Sequence, residues 1–94
     1  MYRNPKLKRS AEHATCIMGS PLCDGGATDI CWRHSNHLRH GKGRGLKAHD
    51  LFGFYGCAGC EDWYSQRSER DERLPAFMEA WERSMIYACE QGVL

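Results

Sequence analysis

The sequence predicts a small α+β domain stapled by zinc, with an added C-terminal helix. Three observations carry this: four cysteines in two pairs, Cys16 with Cys23 and Cys57 with Cys60; short β-branched and aromatic runs on either side of a glycine-rich loop; and an amphipathic pattern near the end of the chain. At 94 residues the chain makes one domain. A core that small is usually marginal without a disulfide, a metal or a partner.

We divide the chain into a basic N-terminal arm (1–11), a zinc-stapled core (12–67) and a C-terminal amphipathic helix (68–94). The arm, Met-Tyr-Arg-Asn-Pro-Lys onward, is expected to be extended. Turn residues in Gly19-Ser-Pro21 and Asp24-Gly-Gly26 mark a Cys-rich knuckle. Thr28 to His34 has the composition of a short strand that delivers His34 to the following loop, and Leu51-Phe-Gly-Phe-Tyr55 reads as a second strand ending at Cys57. Gly41, Gly43 and Gly45 alternate with Lys42 and Arg44, so the backbone there is expected to approach a ligand closely. Cys60-Glu-Asp-Trp-Tyr64 begins a helix, with Glu61 and Asp62 where the helix dipole favours acids. In the last segment Pro75 suits a first turn, Phe77, Trp81, Met85 and Ala88 or Cys89 fall at helical spacing as a packing face, and Gly92 is a natural stop.

Six cysteines could make three disulfides in a secreted protein, but the N-terminal residues contain no apolar run of signal-peptide length. A reducing cytosol is the expectation, and there closely spaced cysteines more often bind metal than pair. No apolar stretch is long enough to span a membrane. Cys57-Ala-Gly-Cys60 is a C-x-x-C suited to bringing two sulfurs to one Zn²⁺, with a redox motif as its rival. Cys16 and Cys23 are spaced more widely than a usual knuckle. Cys31, inside the first strand, could replace either of them and otherwise reads as a buried thiol, as does Cys89 on the helix.

The formal net charge of +1 hides a polarity. Residues 1–60 carry nine Lys or Arg against four acids, and residues 61–94 carry four Arg against eight acids. Two clusters, Arg3 to Arg9 and Arg33 to Lys47, contain no acid. A patch of one sign suits a phosphate backbone, although solvated surface is the alternative. The residues expected to grip phosphates are His37, Arg39, His40, Lys42, Arg44 and Lys47.

Taken together, these residues resemble the pattern of a known family. The order Cys16, Cys23, His34-Ser-Asn36, Gly41-Lys-Gly-Arg-Gly-Leu-Lys47-Ala-His-Asp50 and Cys57-x-x-Cys60, together with the arm Tyr2 to Leu7, resembles the small phage and prophage nuclease-like proteins related to YbcO, within the HNH or ββα-metal (His-Me finger) group. The likeness covers roughly residues 2–66. It implies a structural zinc on Cys16, Cys23, Cys57 and Cys60, a general base at His34, and a divalent cation, Mg²⁺ or Mn²⁺, held between strand and helix by His34 and Glu61. Asn36 or Asp50 would orient the imidazole.

The chain departs from the family where Cys-x-x-Cys is usually followed by His, because Glu61 stands there. A carboxylate suits an oxygen-preferring cation, and the related type VII recombination endonucleases place an Asn at this point. Glu61 read alone is equally an acid at a helix start. The resemblance implies an endonuclease acting on nucleic acid, DNA in the first instance, in the cytoplasm of a bacterial host, with a homodimer as one assembly. Two other classes stay open: a zinc-dependent nucleic-acid-binding module without cleavage, and a phage inhibitor or assembly factor that meets a host protein through the C-terminal helix.

Overall fold

A computed structural model describes residues 2–24, 29–43, 47–66 and 72–94. Helix α1 spans Pro5–Ser10 and continues into a 3₁₀ turn, Ala11–His13. Strand β1 (Cys31–His34) pairs antiparallel with strand β2 (Gly53–Gly56), so that Trp32 lies opposite Tyr55 and His34 opposite Gly53. Helix α2 (Ala58–Tyr64) follows β2 directly, and helix α3 (Leu74–Glu90) closes the fold. Between the strands the chain makes one further 3₁₀ turn, Leu38–His40.

The two-stranded sheet separates two small cores. On one side Phe54 packs with Tyr64, Phe77, Ala80 and the buried thiols Cys57 and Cys60. On the other, Trp32 and Tyr55 meet edge to face at 5.0 Å and pack with Leu7, Ala11 and Ala88. Gly53 is required by this pairing: a Cβ there would stand 2.7 Å from the Arg33 carbonyl oxygen and from the Trp32 ring.

The arm is helical, not extended. Asn4 has extended backbone and its side chain accepts the Lys6 N–H, Pro5 supplies the fixed φ of a first helical residue, and Leu7 and Ala11, four apart, are buried against the sheet. The last helix begins at Leu74 rather than 68, and residues 67–71 lie outside the described residues. Its inward stripe is Phe77, Ala80, Ser84 and Ala88, with Trp81 and Met85 only half-buried at its flanks. Small residues win this face because α3 lies close on β2, close enough for the Ser84 hydroxyl to accept the Tyr55 N–H. Cys89 is therefore exposed, and Cys31, at the outer end of β1, is exposed as well, against the expectation of burial for both. Gly92 (φ 73°) stops the helix: its own N–H bonds the Cys89 carbonyl and the Val93 N–H bonds the Ala88 carbonyl, which satisfies two of the helix's last carbonyls. Among the described residues no helix is long and apolar enough to cross a membrane.

Candidate metal centre and the adjoining cleft

Cys57 and Cys60 are placed by α2. Cys57 is the residue that caps it, and its sulfur accepts the Cys60 N–H at 3.4 Å. Cys16 is brought to them by the Ile17 N–H, which bonds the Tyr55 carbonyl of β2, and Cys23 by the turn in which its N–H reaches the Ser20 carbonyl. Gly59 makes the approach possible, because a Cβ there would stand 1.9 Å from the Leu22 carbonyl oxygen. The glycine of the C-x-x-C thus serves the neighbouring knuckle rather than a tight turn of its own.

All four sulfurs lie within 4.8 Å of one another. A tetrahedral Zn²⁺ with Zn–S bonds of about 2.3 Å needs sulfurs about 3.8 Å apart. Two of the pairs stand at 3.4 Å (Cys16 and Cys60) and 3.9 Å (Cys23 and Cys57), far beyond the roughly 2.05 Å of a disulfide. The surroundings also suit thiolates. The Ser20 hydroxyl points at the Cys60 sulfur at 3.1 Å, and the Gly19 and Cys57 backbones direct N–H groups at Cys16. Burial, with the Cys16 and Cys57 sulfurs alongside, pushes the Cys60 thiol up to about 12, whereas those N–H groups overcome burial at Cys16 and draw it down to about 7. The quartet can hold a zinc ion.

Beside it opens a cleft of about 580 Å³ whose wall includes His34, Arg33, Glu61, Lys8, Lys42 and Lys47. His34 is the last residue of β1, and its Nε2 meets Asp50 Oδ1 at 2.7 Å. Asp50 is 1% exposed and fully engaged. Arg3 donates to Oδ1 at 3.0 Å, the Asn4 N–H to Oδ2 at 2.6 Å, the Asp50 N–H bonds the Tyr2 carbonyl, and the Asp50 carbonyl accepts the Trp32 indole N–H. Burial opposes its ionisation, but the donors from His34, Asn4 and Arg3 outweigh that and hold the carboxyl below its usual range. Since a carboxylate only accepts, Nε2 carries the imidazole proton and Nδ1 keeps its lone pair. Burial lowers the His34 pKa below the usual 6.5; Asp50 works against this, and Lys47 and Lys8 add to it. His34 is therefore a neutral base at pH 7.

Of the residues expected at the site, His34, Asn36, Glu61, Lys42 and Lys47 line the cleft, and Asp50 is bonded to His34 behind it. Asp50, and not Asn36, orients His34: Asn36 gives its N–H to the Tyr64 hydroxyl and its amide to Ser65. His37 and His40, expected to reach phosphates, are buried instead. His37 precedes the 3₁₀ turn and its carbonyl accepts the N–H of His40, the last residue of that turn, and the two rings, three residues apart, both face the core. His40 stacks on Phe52 at 4.2 Å and meets the Ser35 hydroxyl at 2.6 Å, while His37 lies against Tyr64 and Phe77. Burial, then Arg39 and His37, lowers the His40 pKa, as befits a neutral core ring. Arg39 is exposed and reaches toward the Met78 sulfur on α3 rather than lining the cleft. Arg44 lies outside the described residues.

Glu61 lines the cleft with His34 and is paired with Arg33, which donates to its Oε2 at 2.5 Å. Among the described residues the four cysteines alone bring three or more His, Cys, Asp or Glu ligand atoms together. Arg33, Lys8 and Arg3 figure in the sequence only as charge. The one local hint is that Arg33 sits between two strand residues, Trp32 and His34, where a solvated cation has little reason to be. Comparison with protein-family models, with curated proteins and with solved structures finds no match.

Proposed function

We propose that this chain is a zinc-stapled endonuclease of the ββα-metal kind, hydrolysing nucleic-acid phosphodiesters in the basic cleft with His34 as general base. One observation carries the reading: a neutral imidazole, fixed through Nε2 by a buried carboxylate, lines a cleft together with four cations, Lys8, Arg33, Lys42 and Lys47, against two acids, Glu12 and Glu61. The order β1, β2, α2, with a histidine ending the first strand and a cysteine pair at the head of the helix, agrees with the family that the motifs resemble.

In the reaction His34 Nδ1 takes a proton from water, the water oxygen bonds to phosphorus, and the bond from phosphorus to the leaving oxygen breaks, that oxygen taking a proton from solvent. Lys8, Lys42 and Lys47 hold the phosphates and offset the charge that develops on them. Mg²⁺ or Mn²⁺, implied by the resemblance, would need Glu61 to leave Arg33, and no step above depends on it. The test is plasmid nicking by zinc-loaded protein, beside His34→Ala of equal zinc content and thermal stability. A loss of about 10²-fold or more is expected; equal nicking by both proteins would end the proposal. A second reading, a nucleic-acid-binding module without turnover, is favoured by the closed Arg33–Glu61 pair and predicts salt-sensitive binding with no nicking.

A further inference from the structure

Arg33 is fixed from two sides. Its Nε donates to the Gly56 carbonyl at the end of β2 at 3.0 Å, and Nη2 to the Asp29 carbonyl at 2.9 Å. Two main-chain oxygens therefore set the plane of the guanidinium, and its side chain is only 12% exposed. The remaining corner, Nη1, faces Glu61, whose side chain is 47% exposed. The cation is anchored and the anion is the member free to swing into water. A largely buried guanidinium needs an anion beside it; the exposed Asp29 carboxylate stands 3.7 Å from Nη2, the Glu61 carboxylate is the closer one, at Nη1, and nothing requires the anion at Nη1 to be Glu61. A phosphate oxygen is the same kind of anionic acceptor for Nη1 that the Glu61 Oε2 is, and guanidinium recognises both groups.

We infer that Glu61 occupies, in the resting protein, the position of a substrate phosphate on Arg33. The cleft has one phosphate subsite, with Arg33 as its fixed cation, and a phosphodiester enters by exchange with the Glu61 carboxylate without a bridging divalent ion. Once Glu61 swings out, the surrounding Lys8, Lys42 and Lys47 leave the cleft strongly positive for the incoming group. No covalent step is involved. Glu61 acts as a competitive internal anion that occupies Nη1 of Arg33 while the cleft is empty. This rests on the reading of the cleft as a nucleic-acid site, but it reverses the role expected for Glu61, from holder of a metal to stand-in for the ligand.

The experiment follows the Arg33 Nε–H resonance of the zinc-loaded full chain in buffer freed of other divalent cations, while inorganic phosphate and then a short single-stranded oligodeoxynucleotide are added. Saturable shifts are expected, with the same affinity when millimolar Mg²⁺ is added at constant ionic strength. Glu61→Gln, which keeps the shape of the side chain and removes the competing charge, should bind both probes about two- to fivefold more tightly, the scale of a partly exposed ion pair. Arg33→Lys, which keeps the charge and loses the fork, should bind more weakly than wild type at unchanged zinc content. Weaker binding by Glu61→Gln, binding that appears only with Mg²⁺, or no saturable shift in either protein would each overturn the inference. Its failure is separable from that of the nuclease reading. Phosphate exchange at Arg33 in a protein that never nicks DNA leaves the subsite standing without the enzyme, and Mg²⁺-dependent nicking abolished by Glu61→Gln leaves the enzyme without the subsite.

Discussion

Replacing Asp50 by Asn changes one atom and cannot be accommodated by the hydrogen bonds around it. Both carboxylate oxygens receive donors: Oδ1 from Arg3 and from His34 Nε2, and Oδ2 from the Asn4 N–H at 2.6 Å. An amide has one acceptor and one donor end. With its oxygen at the Oδ1 position, the NH₂ group faces the Asn4 N–H, donor against donor in a site 1% exposed. With the amide flipped, the NH₂ group faces Arg3 and His34, and the imidazole must accept at Nε2 and move its proton to Nδ1, the nitrogen that would otherwise take a proton from water. A buried donor left without an acceptor costs about 1–3 kcal/mol, and the Arg3 pairing, being partly exposed, adds little. The variant should thus lose about 2 kcal/mol, which for a domain of this size lowers Tm by roughly 8–16 °C.

Nicking should fall further than stability does, by about 10²-fold or more, because the wrong tautomer removes the base. The pH dependence carries its own sign. In the wild type the His34 pKa is below 6.5, so activity should rise as pH climbs through that lowered value and be level at neutrality. Asp50 works to raise the His34 pKa, so the variant's residual activity should rise at a still lower pH. The assays are thermal unfolding of zinc-loaded protein, ¹⁵N assignment of the His34 tautomer, and nicking between pH 5 and 8. A variant that stays within about 0.5 kcal/mol of wild type, the usual range for a surface change, and keeps its tautomer and pH profile would refute the reasoning.

Cys57→Ser should lose zinc and with it the fold, since a structural zinc supplies a large share of folding free energy in so small a domain; stoichiometric zinc by elemental analysis with an unchanged Tm would contradict this. Gly59→Ala drives a Cβ into the Leu22 carbonyl and should push the Cys23 turn away, weakening zinc retention against a chelator by about tenfold or more, of the order seen when the groups supporting a metal site are disturbed. Replacing Lys8, Lys42 and Lys47 together by Ala should weaken nucleic-acid binding for all sequences alike and flatten the log–log salt dependence by about one unit for each phosphate no longer neutralised. Stability should also fall on acidification below pH 6.5: His34 and Asp50 both have lowered pKa values in the fold, so the unfolded chain takes up protons first and the stability they contribute is lost as pH drops through 6.5 toward the folded His34 value, then again below 3.8. Urea titrations of wild type and Asp50→Asn across this range measure their share.

The parts of the fold legible in the sequence are those set by neighbours in the chain. Cys57-x-x-Cys60, the strands flanking the glycine-rich loop and the helix punctuated by Pro75 and Gly92 can be read because spacing and turn chemistry are local. The arm reads as extended because its apolar face consists of Leu7 and Ala11 alone among charged residues, and Asn4-Pro5 suits a turn as readily as a helix start. The identity of the α3 stripe depends on how closely β2 approaches, which no periodicity contains. Glu61 and Arg33 are 28 residues apart and Arg3 and Asp50 are 47 apart. The partner each acid meets is supplied only by the folded chain, and so nothing beside the C-x-x-C announces that Glu61 pairs with Arg33.

The quartet clasps the chain across long spans: Cys23 meets Cys57 and Cys16 meets Cys60, 34 and 44 residues apart, the first span inside the second. Both strands, the 3₁₀ turn with its histidines, and every cleft residue from Arg33 to Lys47 lie within the inner span. During synthesis the ring can close only after Cys60 has left the ribosome, so the first half of the chain waits without its clasp while the lining of the cleft is already made. A cell short of zinc would then hold a chain whose cationic segments are loose together, and restoring the metal would bring them into register in one event. Zinc supply would thus set how many copies have an assembled cleft.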